Sequence, residues 1–212
     1  MSARDEVLAR IALAHRAAAP EELAYEGILR TYSTGSDLDR EALTERLVDR
    51  LVDYKALVRR CRADDLPAVV AAALTERGAD TVVVPPGLDD GLVSGVRDKI
   101  IIDDGLDVDQ LDATDGVLTT CTVAVAETGT LILDGSAGMG RRVISLIPDY
   151  HLCVVRPEQI CADVPQAISR LDATRPITMI SGPSATSDIE LNRVEGVHGP
   201  RTLEVIIVEA TV

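Results

Sequence analysis

From about residue 54 onward, short runs of β-branched and aliphatic residues alternate with stretches of helical spacing. That alternation limits the possible folds more than any other feature. Tyr54–Cys61 alternates like a strand, and Leu66–Arg77 is spaced like a helix, with Asp64 or Asp65 near its start and Gly78 at its end. Thr81–Val84 is a predicted strand closed by Pro85 and Pro86, and Lys99–Ile102 is another, ended by Asp103-Asp104-Gly105. Further strands are predicted at Gly116–Thr120, Thr130–Leu133, Leu152–Val155, Ile177–Ser181 and Leu203–Val208. Helices are predicted at Arg141–Ile147 and Val164–Leu171. Strands alternating with helices imply parallel β-α-β units with right-handed crossovers. The expected fold is therefore α/β, a mainly parallel sheet flanked by helices. Ligands in such folds sit beyond the carboxyl ends of the strands.

The first quarter of the chain has a different texture. Ala3–Ala18 reads as a helix with a Ser2/Asp5 capping box and apolar Val7, Leu8 and Ile11, and Pro20 stops it. A polar stretch, Glu21–Ser36, follows. Asp37–Val52 is a second amphipathic helix, with Leu43, Leu47 and Leu51 at steps of four. The expected organisation is a helical extension over residues 1–52 and an α/β domain over 53–212.

Composition narrows the function. With four Tyr and no Phe or Trp, the core must be built from Val, Ile, Leu and Ala. Aromatic platforms for stacking bases are missing. A formal charge of −14 opposes binding to nucleic acid or anionic membranes, and a small anion would need a local positive site. No run approaches the roughly 18 apolar residues of a membrane span. Met1–Arg10 mixes charges without an apolar stretch, so a cytoplasmic location is expected. Cys61, Cys121, Cys153 and Cys161 lack cluster spacing and are expected to be small buried hydrophobes, with no cofactor held by this chain. His15, His151 and His198 are scattered, so no metal site is expected, and no G-x-S-x-G elbow is present.

Three loops carry chemistry-bearing residues. Ala126-Glu127-Thr128-Gly129 precedes a strand; its carboxylate is either a general base or nucleophile, or a solvated turn residue. Asp134-Gly135-Ser136-Ala137-Gly138-Met139-Gly140 leads into Arg141-Arg142. It is either an anion-binding loop with Arg141 or Arg142 as the grip, or only a flexible turn; its G-x-x-G-x-G spacing matches neither nucleotide fingerprint. Ser181 to Glu190, followed by Gly196-Val197-His198-Gly199-Pro200, gathers Ser184, Thr186, Asp188 and His198 after a strand. Either they bind a ligand, with His198 moving a proton, or they form a cap and a turn.

This last stretch resembles the C-terminal signature of the LUD domain of the lactate-utilisation protein C (LutC/YkgG) family. Ala126-Glu127-Thr128-Gly129-Thr130 is similar to the family's other signature, and Arg141 to Pro148 with His151 and Val154-Val155 fits the stretch between. One position departs: Ala185 stands where a basic residue is frequent. The resemblance implies a fold like the NagB/RpiA/CoA-transferase group. It implies a role in oxidising L-lactate to pyruvate beside two partner subunits that carry the iron–sulfur clusters. Placed on those motifs, the candidate catalytic residues are Glu127 and His198. The candidate ligand-binding residues are Thr128, Gly129, Arg141, Arg142, Ser184, Thr186 and Asp188. The other expectation, by analogy of fold, is a free-standing CoA-transferase-like or isomerase-like enzyme using Glu127. On either reading Glu127, Ser184, Thr186, Asp188 and His198 should meet on one concave surface.

Overall fold

The computed structural model describes residues 2–17, 27–32, 35–186, 194–195 and 199–210. The chain divides into residues 1–33 and 34–212. The first unit holds α1 (Ala3–Ala17), whose start is closed by the expected capping box: Ser2 N–H donates to Asp5 Oδ2 at 2.9 Å and Asp5 N–H to Ser2 Oγ at 3.2 Å.

The second unit begins with α2 (Arg40–Asp53). Asp39, in extended backbone, caps it by accepting from Ala42 N–H at 2.8 Å, which sets the start later than Asp37. Leu47 and Leu51 are fully buried. The expected boundary between residues 52 and 53 therefore falls inside the larger unit, because α2 supplies part of that unit's core.

Strands and helices follow in order: β1 (Leu57–Cys61), α3 (Leu66–Arg77), β2 (Val82–Val84), β3 (Ile100–Ile102), α4 (Val108–Asp112), β4 (Gly116–Thr120), β5 (Val123–Val125), β6 (Thr130–Leu133), β7 (Tyr150–Val155), β8 (Ile160–Cys161), α5 (Val164–Ser169), β9 (Thr178–Ile180), β10 (Ala185–Thr186), β11 (Val194–Glu195) and β12 (Thr202–Val208). Six strands form one all-parallel sheet in the order β1-β12-β7-β4-β2-β3. The α/β, mainly parallel architecture is as expected. A second sheet, β8-β5-β6-β9, is not: β6 runs antiparallel to both β5 and β9. The expected helix Arg141–Ile147 is only a 3-10 turn, Arg142–Ser145, before Pro148.

The four central strands of the six-stranded sheet, β12, β7, β4 and β2, are buried on both faces, as strands inside parallel sheets are, while the edge strands β1 and β3 are partly exposed. Leu118, Leu152, Val154 and Ile206 belong to one core with Val70 and Leu74 of α3. Cys153, Val155, Val205 and Ile207 belong to a second core with Leu47 and Leu51 of α2 and Ala124 and Leu131 of the second sheet. Each such Leu or Ile contributes about 1.5–3 kcal/mol on burial. The second sheet thus covers part of the face that carries the odd-numbered residues of β7 and β12. All four cysteines are buried, as expected. Among the described residues, no helix is long and apolar enough to cross a membrane.

Candidate functional site

Two cavities meet at Arg142 and Ser145. The larger, about 760 Å³, lies at the carboxyl ends of β2 and β3, where Pro86, Asp103, Asp104 and the glycine-rich loop line it. The smaller, about 220 Å³, opens between the two sheets. Its lining includes His151 and Leu203 from the parallel sheet, Met179 and Ile180 from β9, Ser181–Ser184, and Gly199-Pro200.

His151 forms part of the smaller cavity's wall. It sits on β7 opposite Val117 of β4, so Thr119, two residues on, shares its face of the sheet. Thr119 Oγ1 lies 2.8 Å from His151 Nε2. The ring is 1% exposed. Burial, with Arg142 nearby, pushes its pKa down to about 4, so the imidazole is uncharged at neutral pH.

The two consecutive arginines have different roles. Arg141 donates through Nε and Nη2 to the Asp103 carboxylate at 2.9 and 2.5 Å, and through Nη2 to Leu106 O at 2.9 Å. Asp103 is buried, and the guanidinium beside it holds its carboxyl below the usual carboxylate range. Arg141 is therefore bound to a structural partner. Arg142 is exposed at the cavity mouth. Its Nη1 donates to Ser145 Oγ at 3.2 Å, and Ser145 Oγ–H donates to Arg142 O at 3.1 Å. Among the described residues no carboxylate pairs with it.

The glycine-rich loop is not an open anion cradle. The N–H groups of Ser136, Gly138, Met139 and Gly140 donate to Asp134 Oδ1, Pro86 O, Ser136 O and Ser136 O. Its glycines answer to packing: at Gly140, φ is +68° and a Cβ would lie 2.7 Å from Pro85 Cβ.

Glu127 lies elsewhere. It is exposed on the turn between β5 and β6, and its N–H donates to Ala162 O at 3.0 Å. It lines neither of these cavities. Gly129, at φ +61°, lets that turn approach α2: a Cβ there would lie 2.9 Å from Arg50 Cβ. Thr128 reaches the cavity only indirectly. Its hydroxyl is 2.7 Å from Thr130 Oγ1, which is 2.8 Å from Ser181 Oγ. The expected common surface rested on a single parallel sheet. Glu127 belongs instead to an antiparallel hairpin of the second sheet.

Ser184 lines the smaller cavity, and its N–H donates to Pro200 O at 2.8 Å. The backbone of Thr186 pairs with Val194 in the β10–β11 ribbon. Asp188 and His198 lie outside the described residues. The structure thus brings together Arg142 and Ser184 from the expected set and adds Ser145, His151 and Ser181, with Thr119 behind the histidine. A single histidine inside the apolar run Tyr150–Val155 was the one sequence signal for these additions.

Residues 106–208 match the family model described as the LUD domain. A lactate utilization protein C of Deinococcus radiodurans is 45% identical over 184 residues, covering 85% of this chain and 86% of the relative. One of Halalkalibacterium halodurans is 30% identical over 168 residues, covering 72% and 73%. The Escherichia coli protein YkgG is 38% identical over 93 residues, 40% of each chain. The crystal structure of a DUF162 family protein from Deinococcus radiodurans superposes with a TM-score of 0.71 at 40% identity, over 81% of this chain and 99% of that one. On identity extending across most of both chains, this protein belongs to the lactate utilization protein C family and carries its LUD domain in the carboxy-terminal half.

Proposed function

We propose that this protein is a cytoplasmic subunit of a system that oxidises L-lactate to pyruvate, and that it holds a small organic carboxylate in the smaller cavity. The relatives named for lactate utilization support the pathway. In this reading the redox centres belong to two iron–sulfur partner subunits. The four buried thiols of this chain, spaced without a cluster motif, fit that division of labour.

The observation that carries the ligand reading is Arg142. In a chain of net charge −14, this cation stands at the mouth of a cavity of about 220 Å³ with no carboxylate partner among the described residues. A guanidinium grips a carboxylate through two parallel hydrogen bonds. Such a cavity suits a metabolite of a few heavy atoms rather than a cofactor.

Calorimetric titration of the purified chain with lactate, pyruvate and phosphate tests the site. Binding of one carboxylate that weakens at least tenfold in Arg142→Gln is expected. No binding, or equal binding by the variant, overturns it. Purification of the tagged chain from its host, with iron and sulfide analysis of what accompanies it, tests the assembly.

A further inference from the structure

The smaller cavity has a polar group that Arg142 does not account for. His151 is buried in its wall, and the hydrogen-bonding needs of Thr119 fix which ring nitrogen carries the proton. Thr119 is fully buried, and its hydroxyl makes one hydrogen bond among the described residues, to His151 Nε2. A hydroxyl must place its hydrogen on an acceptor, and here Nε2 is the acceptor at hand. If Nε2 carried the proton instead, the Thr119 hydrogen would be left unpaired in the core, which costs about 1–3 kcal/mol. The proton therefore sits on Nδ1. Nδ1 has no protein partner among the described residues, and it is not among their buried unsatisfied atoms. The ring lines the smaller cavity, so Nδ1 is the nitrogen left to meet a ligand there.

We propose that His151, held as its Nδ1–H tautomer by Thr119, is a recognition residue that donates a hydrogen bond to the oxygen on carbon 2 of a 2-oxo carboxylate whose carboxyl group is held by Arg142. This rests on the carboxylate reading of the cavity and deepens it by naming the ligand class. The donor set gives the preference. Arg142 and Nδ1–H are donors. The Ser145 hydroxyl already donates to Arg142 O and accepts from Arg142 Nη1. The Ser181 hydroxyl is engaged with Thr130. A carbonyl oxygen only accepts and is satisfied here. The hydroxyl of a 2-hydroxy acid must also donate, and among these side chains only the remaining lone pairs of the serine hydroxyls can accept from it. An unsubstituted acid leaves Nδ1–H unpaired. The ring stays uncharged through the neutral range, because its pKa is pushed down to about 4.

The test has two arms on the full chain. With histidine labelled by nitrogen-15, two-bond proton–nitrogen correlations distinguish the tautomers, and only three histidines need assignment. A pyrrole-like Nδ1 and a pyridine-like Nε2 are expected for His151; the reverse overturns the proposal. In calorimetry, pyruvate should bind about tenfold more tightly than propionate, with lactate between. Thr119→Val, which keeps the shape of the side chain and frees the tautomer, should erase that advantage while leaving propionate unchanged. Equal affinities for the three acids with the Nδ1–H tautomer intact overturn the recognition role and leave the carboxylate site standing. Binding of none of them overturns both readings.

Discussion

Replacing Arg141 with Gln should destabilise the fold without touching the ligand cavity's own cation. The Asp103 side chain is 1% exposed and the Arg141 side chain 47%. Arg141 gives that carboxylate two hydrogen bonds, and the remaining nearby donors are the N–H of Leu106 at 3.2 Å and of Gly105 at 3.4 Å. A hydrogen bond to a charged group contributes about 1.5–3 kcal/mol, and the half-exposed guanidinium keeps the pair's sum toward the low end, about 2–3 kcal/mol. At about 2–4 °C per kcal/mol for a chain of this size, the melting temperature should fall by about 4–12 °C. Arg142→Gln, which breaks no ion pair among the described residues, should melt like the parent. Asp103→Asn in the Arg141→Gln background should recover part of the loss, because the uncompensated buried charge is then gone. The folded-state pKa of Asp103 lies below its ordinary 3.8. Its stabilisation is therefore present above that value and is lost as pH falls through the folded one. The gap between parent and Arg141→Gln, read from urea midpoints, should hold at neutral pH and close only below about pH 4. Equal melting temperatures at pH 7 would refute the structural role of Arg141, and a gap unchanged at pH 3 would refute its electrostatic origin.

His151 makes stability fall on acidification. With its folded pKa at about 4 against 6.5 for the ordinary group, the unfolded chain binds a proton that the native chain refuses between those values. The loss from pH 6.5 to 4 should approach about 3 kcal/mol, and it should be missing from the urea midpoints of His151→Gln. Gly140→Ala should cost about 1–3 kcal/mol by thermal denaturation, since its Cβ would meet Pro85 and its φ is +68°. A melting temperature equal to the parent's would show that the loop yields where the structure has it packed.

The parallel sheet was legible because its strands are separated by clear punctuation. Pro85-Pro86 closes β2, Asp103-Asp104-Gly105 closes β3, and Gly78 in the left-handed region ends α3. The second sheet was not legible, because its first strand has no such border. β4 ends at Thr120 and β5 begins at Val123, so Thr119 to Val125 reads as one continuous run. Once β5 is overlooked, Ala126 to Gly129 looks like a loop before a lone strand rather than a hairpin turn. Glu127 then reads as standing at the end of the parallel sheet, with the other candidates.

The cavity is hidden from the sequence for the same reason. Its walls come from both sheets, so no local pattern could assemble His151, Ile180 and Gly199. Arg141 and Arg142 are adjacent and chemically identical in the sequence, and only the burial of Asp103 separates them. The histidine carried the one usable sign. A polar ring in the middle of a strand buried on both faces needs a partner on the neighbouring strand, or it costs more than an apolar residue would. Thr119, two residues beyond the register partner of His151 on β4 and on the same face, satisfies one nitrogen. A histidine kept only for packing would need a partner for its other nitrogen too. In this fold that nitrogen has no protein partner among the described residues, and its ring lines a cavity with a guanidinium at its mouth, which is the arrangement a ligand with two oxygen-bearing carbons would complete.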